Sequence, residues 1–530
     1  MFPSSGYGGD GGDGATPPGA GPVLGIDLGT TNTVAAAYLA GQAYIIVDTQ
    51  GNPLHPSVVA FAPNNQLLVS YPARDRRVID PPNTIYSAKR IIGQPFRSPR
   101  VMMALQHLPY QVVEGANQEP MVVTRAGQYS VPQISSFVLG YVRQMAEYQL
   151  QQAVTRCVVT VPANFTETQR QATRLAAEMA GFEVLRVLNE PTAAALAYGQ
   201  GDPRQQRIAI YDFGGGTFDL TVLALRDGLY EVIATGGEPF LGGDDMDRVL
   251  ADRLALDFLQ QHRVDLRTDV ASMTQLMLAA EMIKQRLSVE DHVTDQIPAV
   301  AYGEGGRPLN LEFALTRLQF ENLIEPIVDR SITVADQVLA EAGLSGSRVD
   351  DFILVGGTTR VPLVQRRVHE HFGASVRANI DPMMVVATGA AVQADNLASS
   401  AGRAPHGLLL DVTSHALGIA TAGGFTEQLI AKNTTIPAEG TRVFATAKHG
   451  QTMVRIRVCQ GPSRRFEENV QVGELVLDQL RPAPRGDVKV EVSFLIDANG
   501  LLSVAAEDLE TGRETRAMLN LLGVSVSSRV

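Results

Sequence analysis

Gly25-Ile26-Asp27-Leu28-Gly29-Thr30-Thr31 and Tyr211-Asp212-Phe213-Gly214-Gly215-Gly216-Thr217 are near-copies of one pattern, set about a third of the chain apart. Each passes from an apolar run to Asp, then to glycine and Thr, the order of a β-strand entering a tight hairpin. Glycine lets backbone N–H groups approach phosphate oxygens with no Cβ in the way. The hydroxyls of Thr30, Thr31 and Thr217 can donate to the same oxygens, and Asp27 and Asp212 can hold Mg²⁺ or its waters. One glycine-rich turn would be an ordinary hairpin. Two that repeat the Asp-Gly-Thr order predict a pair of facing hairpins that clamp a nucleotide's phosphates from both sides.

The rest of the composition narrows the setting. A chain of 530 residues, 45% hydrophobic and 19% charged, implies roughly two to four domains with sizeable cores. A net charge of −12 argues against nucleic acid as the main partner, since Lys and Arg supply phosphate-backbone binding. Cys157 and Cys459 are the only cysteines, which suits a reducing cytosol without a disulfide framework. Cys157 sits in an apolar strand and reads as a buried structural thiol. No stretch is long and apolar enough to span a bilayer. The amino end lacks a basic leader, its first Lys or Arg being Arg74, and residues 1–22 read as a Gly-rich disordered tail.

From residue 23 to 398 strands alternate with helical patterns, the signature of a layered α/β architecture. Residues 156–161 form a buried strand, and Thr166 and Gln169 stand at capping-box spacing before a helix that runs toward Gly181. A strand at 184–188 leads into Asn189-Glu190-Pro191, with Pro191 suited to a first helical turn. Longer helices are expected over 269–287 and 317–342, the second with Thr316 and Gln319 as its capping box. The strand at 352–355 runs into Gly356-Gly357, which is expected to open a helix whose amide end receives ribose or phosphate. Residues 399–411 read as a linker and 412–521 as an all-β sandwich. Within it, Asn499-Gly500 forms the hairpin turn between strands 488–496 and 501–506.

Taken together, GIDLGTTNT, AKRIIG, VVTVPANFTETQRQAT, NEPTAAALAYG, DFGGGTFDL, LVGGTTRVP, LLLDVT, NTTIP, PAPRG and IDANGLLSV make the chain resemble the seventy-kilodalton heat-shock chaperones, the DnaK-type ATPases. The resemblance implies an α/β fold: an actin-like ATPase domain of two duplicated lobes, followed by a small β-sandwich. It also implies ATP, with Mg²⁺ and admitting K⁺. Gly29, Thr30, Thr31, Asn32, Gly214, Gly215, Gly216 and Thr217 would hold phosphates. Asp27, Glu190, Asp212 and, through water, Asp219 would surround the metal. Lys89 would position the attacking water; without the motif around it, Lys89 beside Arg90 would read as a solvated helix face. Gly242 and Gly243 match a phosphate-side loop. Adenosine would lie between Gly356, Gly357 and Arg360 on one side and Glu281, Lys284 and Ser288 on the other, the last three sharing one helix face.

The same resemblance gives Pro162 and Arg170 an allosteric relay, and gives Leu408, Leu409, Leu410 and Asp411 the role of an interdomain linker that docks with ATP bound. A buried strand is the plainer reading of that leucine run. Arg186 and Asn189 match a surface for J-domain co-chaperones, and a nucleotide exchange factor is a further implied partner. Ile419, Ala422, Phe444, Ala447 and Val454 match the positions that line and arch over an extended peptide; sandwich core is the lesser alternative for each. The implied function is ATP-dependent binding of unfolded polypeptides in the cytoplasm, with no nucleic-acid or membrane partner.

Three departures stand out. Asp381-Pro382-Met383-Met384 lacks the family's acidic pair after Pro, His406-Gly407 replaces the usual opening of the linker, and residues 522–530 form a short tail where a helical lid would follow, so a lidless form is expected. Two other classes share the phosphate hairpins: an actin-fold small-molecule kinase, and a nonenzymatic nucleotide-gated scaffold or exchange-factor relative. The kinase leaves the sandwich unexplained, and retention of Lys89, Asp27 and Asp212 speaks against the scaffold.

Overall fold

A computed structural model describes residues 21–64, 66–199, 205–226, 228–373, 375–377, 381–398, 408–497 and 502–518. The expected tail at 1–22 save its last two residues, the end of the sandwich at 519–521 with the expected tail at 522–530, the linker segment 399–407 with His406-Gly407, and the Asn499-Gly500 turn lie outside the described residues.

Two sheets with one connectivity form the lobes. The first runs Glu183–Asn189, Arg156–Val161, Val23–Leu28, Asn32–Leu39, Gln42–Ile45, with parallel pairing among the first three strands and antiparallel pairing among the last three. The second runs Ser375–Arg377, Asp351–Val355, Gln206–Phe213, Phe218–Arg226, Leu229–Glu238 and repeats that order of parallel and antiparallel neighbours. The two Asp-Gly-Thr segments therefore occupy equivalent hairpins of equivalent sheets. The architecture is α/β and actin-like, with duplicated lobes.

Alanine-rich helices join the lobes. Glu190–Tyr198 packs on Val385–Ala398 so closely that a Cβ on Gly389 would fall 1.6 Å from the Ala193 carbonyl oxygen. Small side chains in both helices permit that approach, and a larger residue at 389 would force the helices apart. The expected capping boxes at Thr166/Gln169 and Thr316/Gln319 are both present and begin Glu167–Met179 and Arg317–Glu341. The expectation at Gly356-Gly357 needs correction: Gly357–Arg360 is a 3-10 turn, and the α-helix starts only at Pro362. Gly356 has φ +84°, outside the helical region, and Pro362 supplies the pre-set φ of a first helical position.

After the lobes, two four-stranded antiparallel sheets form a sandwich. Lys489–Ile496 pairs with Leu502–Asp508 as the hairpin reading requires. Alternate residues Val490, Val492, Phe494 and Ile496 are buried between the sheets, each worth about 1.5–3 kcal/mol of apolar burial. Among the described residues no helix is long and apolar enough to cross a membrane.

Candidate functional site

A cleft of about 400 Å³ opens between the lobes, and both hairpins line it. Face to face, they nearly touch. A Cβ on Gly215 would fall 2.1 Å from Thr31 Oγ1, and one on Gly216 would fall 2.9 Å from Thr30 Oγ1. The Gly242–Asp244 turn is stitched behind the second hairpin, the Gly243 and Asp244 amides donating to the Gly214 and Gly215 carbonyls at 3.0 and 2.8 Å. Gly214 differs from its neighbours: it lines the cleft, yet a Cβ there would meet nothing closer than the Thr217 carbonyl at 3.6 Å. Packing does not demand glycine at 214. The Gly214 amide donates to the Thr217 carbonyl at 3.0 Å and closes the hairpin, and the missing side chain leaves the cleft open above it.

Behind the hairpins lies a crowd of carboxylates. Asp212 and Asp219 are direct cross-strand partners, Asp27 ends its strand against Thr160 Oγ1 at 3.3 Å, and Glu190 opens its helix. Lys89, in the 3-10 turn Ala88–Arg90, is buried; its Nζ donates to the Leu28 carbonyl and to Glu190 Oε1, the latter at 2.7 Å. Burial pushes the Asp27 carboxyl up to about 7, with Glu190 adding and Lys89 opposing. Asp212 and Asp219 are pushed well above the usual carboxylate range by burial and by neighbouring carboxylates. Asp219 Oδ1 is buried without a hydrogen bond. Four carboxylates facing one lysine form a site short of positive charge, and a divalent cation is what such a site fits. Among the described residues no three His, Cys, Asp or Glu side chains converge closely enough to hold an ion alone. The arrangement thus fits a cation that keeps much of its water, as Mg²⁺ does.

On the far wall, Glu281 and Lys284 project from Val270–Leu287, and Ser288 caps that helix. Lys284 Nζ donates to Asp247 Oδ2 at 2.7 Å and to the Gly243 carbonyl at 3.0 Å, while Ser288 Oγ donates to the Lys284 carbonyl at 2.8 Å. Opposite them, a Cβ on Gly356 would sit 2.4 Å from the Phe213 carbonyl, so this glycine serves packing. Arg360 pairs with Asp381 at 2.6 Å. Asn32 and Met383 also line the cleft, Met383 beside Gly357. Thus the sequence's departure at Met383-Met384 places a thioether on the cleft wall.

Some participants carried no local signal. Arg90 reaches across the cleft to Asp244 at 3.2 Å, and Thr358 Oγ1 donates to the Gly214 carbonyl at 2.8 Å. Asp247, which anchors Lys284, lies 37 residues from it in sequence. Only the glycine pair preceding Thr358 marked that position out.

The leucine run is an edge strand of the second-lobe sheet: Leu408–Leu410 pairs in parallel with Leu229, Tyr230 and Glu231. Asp411 Oδ2 accepts from Asn189 Nδ2 at 3.0 Å and from Thr192 Oγ1 at 3.4 Å. Arg170 donates to Asn189 Oδ1 at 2.5 Å and to the Val187 carbonyl at 3.1 Å, and Pro162 is buried after the strand Arg156–Val161. Burial lowers the Arg186 guanidinium from its ordinary value, while Asp411 and Asp497 oppose the shift. The sandwich also touches both lobes: Lys432 pairs with Glu341 at 2.6 Å, and the Glu167 amide donates to Gln460 Oε1 at 3.2 Å.

In the sandwich, Ile419 is buried in the core, Phe444 and Val454 pack partly buried against that core, and Ala422 and Ala447 are exposed. Two are loop positions, and three belong to the sandwich wall.

A family model described as Hsp70 protein matches residues 23–524, a span that takes in both lobes, the leucine strand and the sandwich.

Proposed function

Because the chain belongs to the Hsp70 protein family, whose members are nucleotide-binding, ATP-hydrolysing chaperones, we propose that it couples ATP hydrolysis in the interlobe cleft to binding and release of extended apolar segments of unfolded proteins by the sandwich. The observation that carries this reading is the docked strand Leu408–Leu410, continuous with the sandwich and hydrogen-bonded into the second-lobe sheet. A linker that shares a sheet with one domain and a chain with the other gives both sites one two-state element to bias.

Thr30, Thr31, Gly214, Gly215, Gly216 and Thr217 hold the phosphates, with Gly29, Asn32, Gly242 and Gly243 shaping the loops. Asp27, Asp212, Asp219 and Glu190 would hold Mg²⁺ and its waters. Bound, the ion neutralises charge on the phosphate oxygens. Lys89 orients the attacking water and is itself oriented by Glu190 and the Leu28 carbonyl; phosphoryl transfer asks of the protein mainly positioning and charge stabilisation. Glu281, Lys284, Ser288, Gly356, Gly357 and Arg360 enclose the adenosine. Pro162 and Arg170 relay nucleotide state to Asn189 and Asp411. Ile419, Ala422, Phe444, Ala447 and Val454 border the peptide site, where strand-like backbone bonding gives sequence-tolerant affinity.

A J-domain co-chaperone at Arg186 and Asn189, together with an exchange factor, completes the cycle. A reducing, cytoplasmic setting is supported by two buried cysteines, both free. The test is ATP turnover with and without an unfolded peptide: stimulation supports the coupling, and stimulation by a small metabolite instead supports the kinase reading.

A further inference from the structure

Beside the interlobe cleft lies a second cavity of about 290 Å³, most of whose walls have been given no role above. It shares Thr30, Thr31, Asp244, Asp247 and Glu281 with the cleft. Its own walls are Arg77, Tyr86 and Leu108 from the first lobe and Phe240, Arg248 and Met277 from the second.

Two of the cations in this cavity, Arg77 and Arg248, are weakly paired, while Arg330 is paired with Glu238. Arg77 is only 9% exposed, and its guanidinium lies 3.8 Å from the Tyr86 ring centroid. Its Nε is buried without a hydrogen bond, and its nearest carboxylate oxygen, on Glu281, stands 3.9 Å away. Arg248 is half-buried; among the described residues its side chain makes no hydrogen bond or ion pair, though its charge acts on Asp245. Arg90, by contrast, is committed to Asp244 and Asp245 at 3.2 and 3.6 Å. Burial lowers the His107 imidazole, and Arg248 and Arg90 lower it further while Asp252 opposes; the carboxylates Asp244, Asp245, Asp247 and Glu281 line the cavity beside these cations. Arg77 is thus held by one carboxylate at long range and keeps a donor unspent, and a planar fork of donors matches a phosphate bidentately. Around these charges Tyr86, Phe240, Leu108 and Met277 supply flat and adaptable apolar surface.

We propose that this cavity binds a small phosphate monoester carried on a planar ring, its phosphate on Arg77 and Arg248 and its ring against Tyr86 and Phe240. The walls come from both lobes, so the ligand binds only when the lobes are together and holds them there, which slows nucleotide release. That consequence rests on the nucleotide reading above; the binding itself does not.

Calorimetric titration of the full chain with phenyl phosphate, with ADP present and absent, tests the proposal. The expected result is saturable binding in both conditions, at least about tenfold tighter than for inorganic phosphate or phenol. Arg248→Gln should melt as the wild type does and weaken phenyl phosphate by about tenfold or more. Release of a fluorescent ADP should slow with phenyl phosphate in the wild type and not in the variant. Binding unchanged by Arg248→Gln, or no binding at all, would overturn the site. A chain that binds phenyl phosphate but no ADP would leave the site standing and remove the nucleotide reading.

Discussion

Asn189 and Asp411 meet across the domain boundary, 222 residues apart in sequence, with Asn189 Nδ2 donating to Asp411 Oδ2 at 3.0 Å. Asn189 is also the N-cap residue of the helix that begins at Glu190, and Glu190 holds Lys89 at 2.7 Å. The residue that receives the linker's carboxylate is therefore followed directly by the residue that positions the cleft lysine. A shift of that helix start would move both contacts together, which gives the proposed coupling a physical route.

Asn189→Asp tests this route. It replaces a hydrogen-bond donor with a like charge facing Asp411, a change expected to cost docking about 2–5 kcal/mol. Amide exchange at Leu409 and Leu410 should rise toward that of an unpaired strand. Basal ATP hydrolysis should persist while peptide stimulation is lost, and unchanged exchange at the leucines would remove the contact from the coupling.

Lys89→Ala should lower single-turnover ATP hydrolysis by about 10²-fold or more, with nucleotide affinity nearly intact, because the hairpins and the hydrated cation supply most of the phosphate binding. The substitution leaves Glu190 buried without its cation, so Lys89→Ala/Glu190→Gln provides the folded control. Wild-type turnover in either variant would place the catalytic role elsewhere.

Where sequence alone sufficed, the signal was local and repeated. Two Asp-Gly-Thr hairpins, three-residue capping boxes and the alternation in Lys489–Ile496 all show within a few residues of one another, so the lobes and the sandwich could be read directly. What stayed hidden was long-range pairing of groups with no local mark. Arg90 lies 154 residues from Asp244, and beside Lys89 it looked like any exposed cation. The parallel pairing of Leu408–Leu410 with Leu229 likewise had no cue, since an apolar triplet serves a linker and an edge strand equally. Gly356-Gly357 misled because glycines before an apolar pattern resemble a helix start, whereas the φ of Gly356 is set by its approach to the Phe213 carbonyl.

Two titrating groups at the domain boundary pull docking in opposite directions. Glu167 and His415 line the same small interdomain pocket. Burial pushes the Glu167 carboxyl up from 4.5 to about 7, with Arg170 and Gln171 opposing, and lowers His415 from 6.5 to about 4, Lys432 and Arg100 adding. With both groups solvated when undocked, Glu167 favours docking fully below 4.5, and that contribution is lost as pH rises through 7. His415 favours docking fully above 6.5, and its contribution is lost as pH falls through 4. Each limb changes docking by up to about tenfold per pH unit, and between 4.5 and 6.5 they cancel. Energy transfer between labelled domains should thus change little from pH 6.5 to 5 in the wild type. Glu167→Gln should undock as pH falls over that range, and His415→Leu should dock more tightly. Parallel responses of the two variants would contradict the assignment.

Glycines 214 and 356 should separate binding from packing. Gly214→Ala adds a Cβ that meets only ordinary contacts, so thermal stability should stay within about 1 kcal/mol of wild type while nucleotide affinity falls by about tenfold or more. Gly356→Ala is strained by its positive φ and by the Phe213 carbonyl, and it should lower the melting temperature clearly. Equal stability losses would mean that Gly214 is a packing residue.

The most direct test of the whole account is steady-state ATP turnover of the full chain, with and without an extended apolar peptide, in the wild type and in Leu409→Asp/Leu410→Asp. The account predicts that peptide raises wild-type turnover severalfold and leaves the double variant at its basal rate, because the docked strand can no longer bury those side chains. Turnover indifferent to peptide in the wild type, or stimulated equally in both proteins, would contradict it.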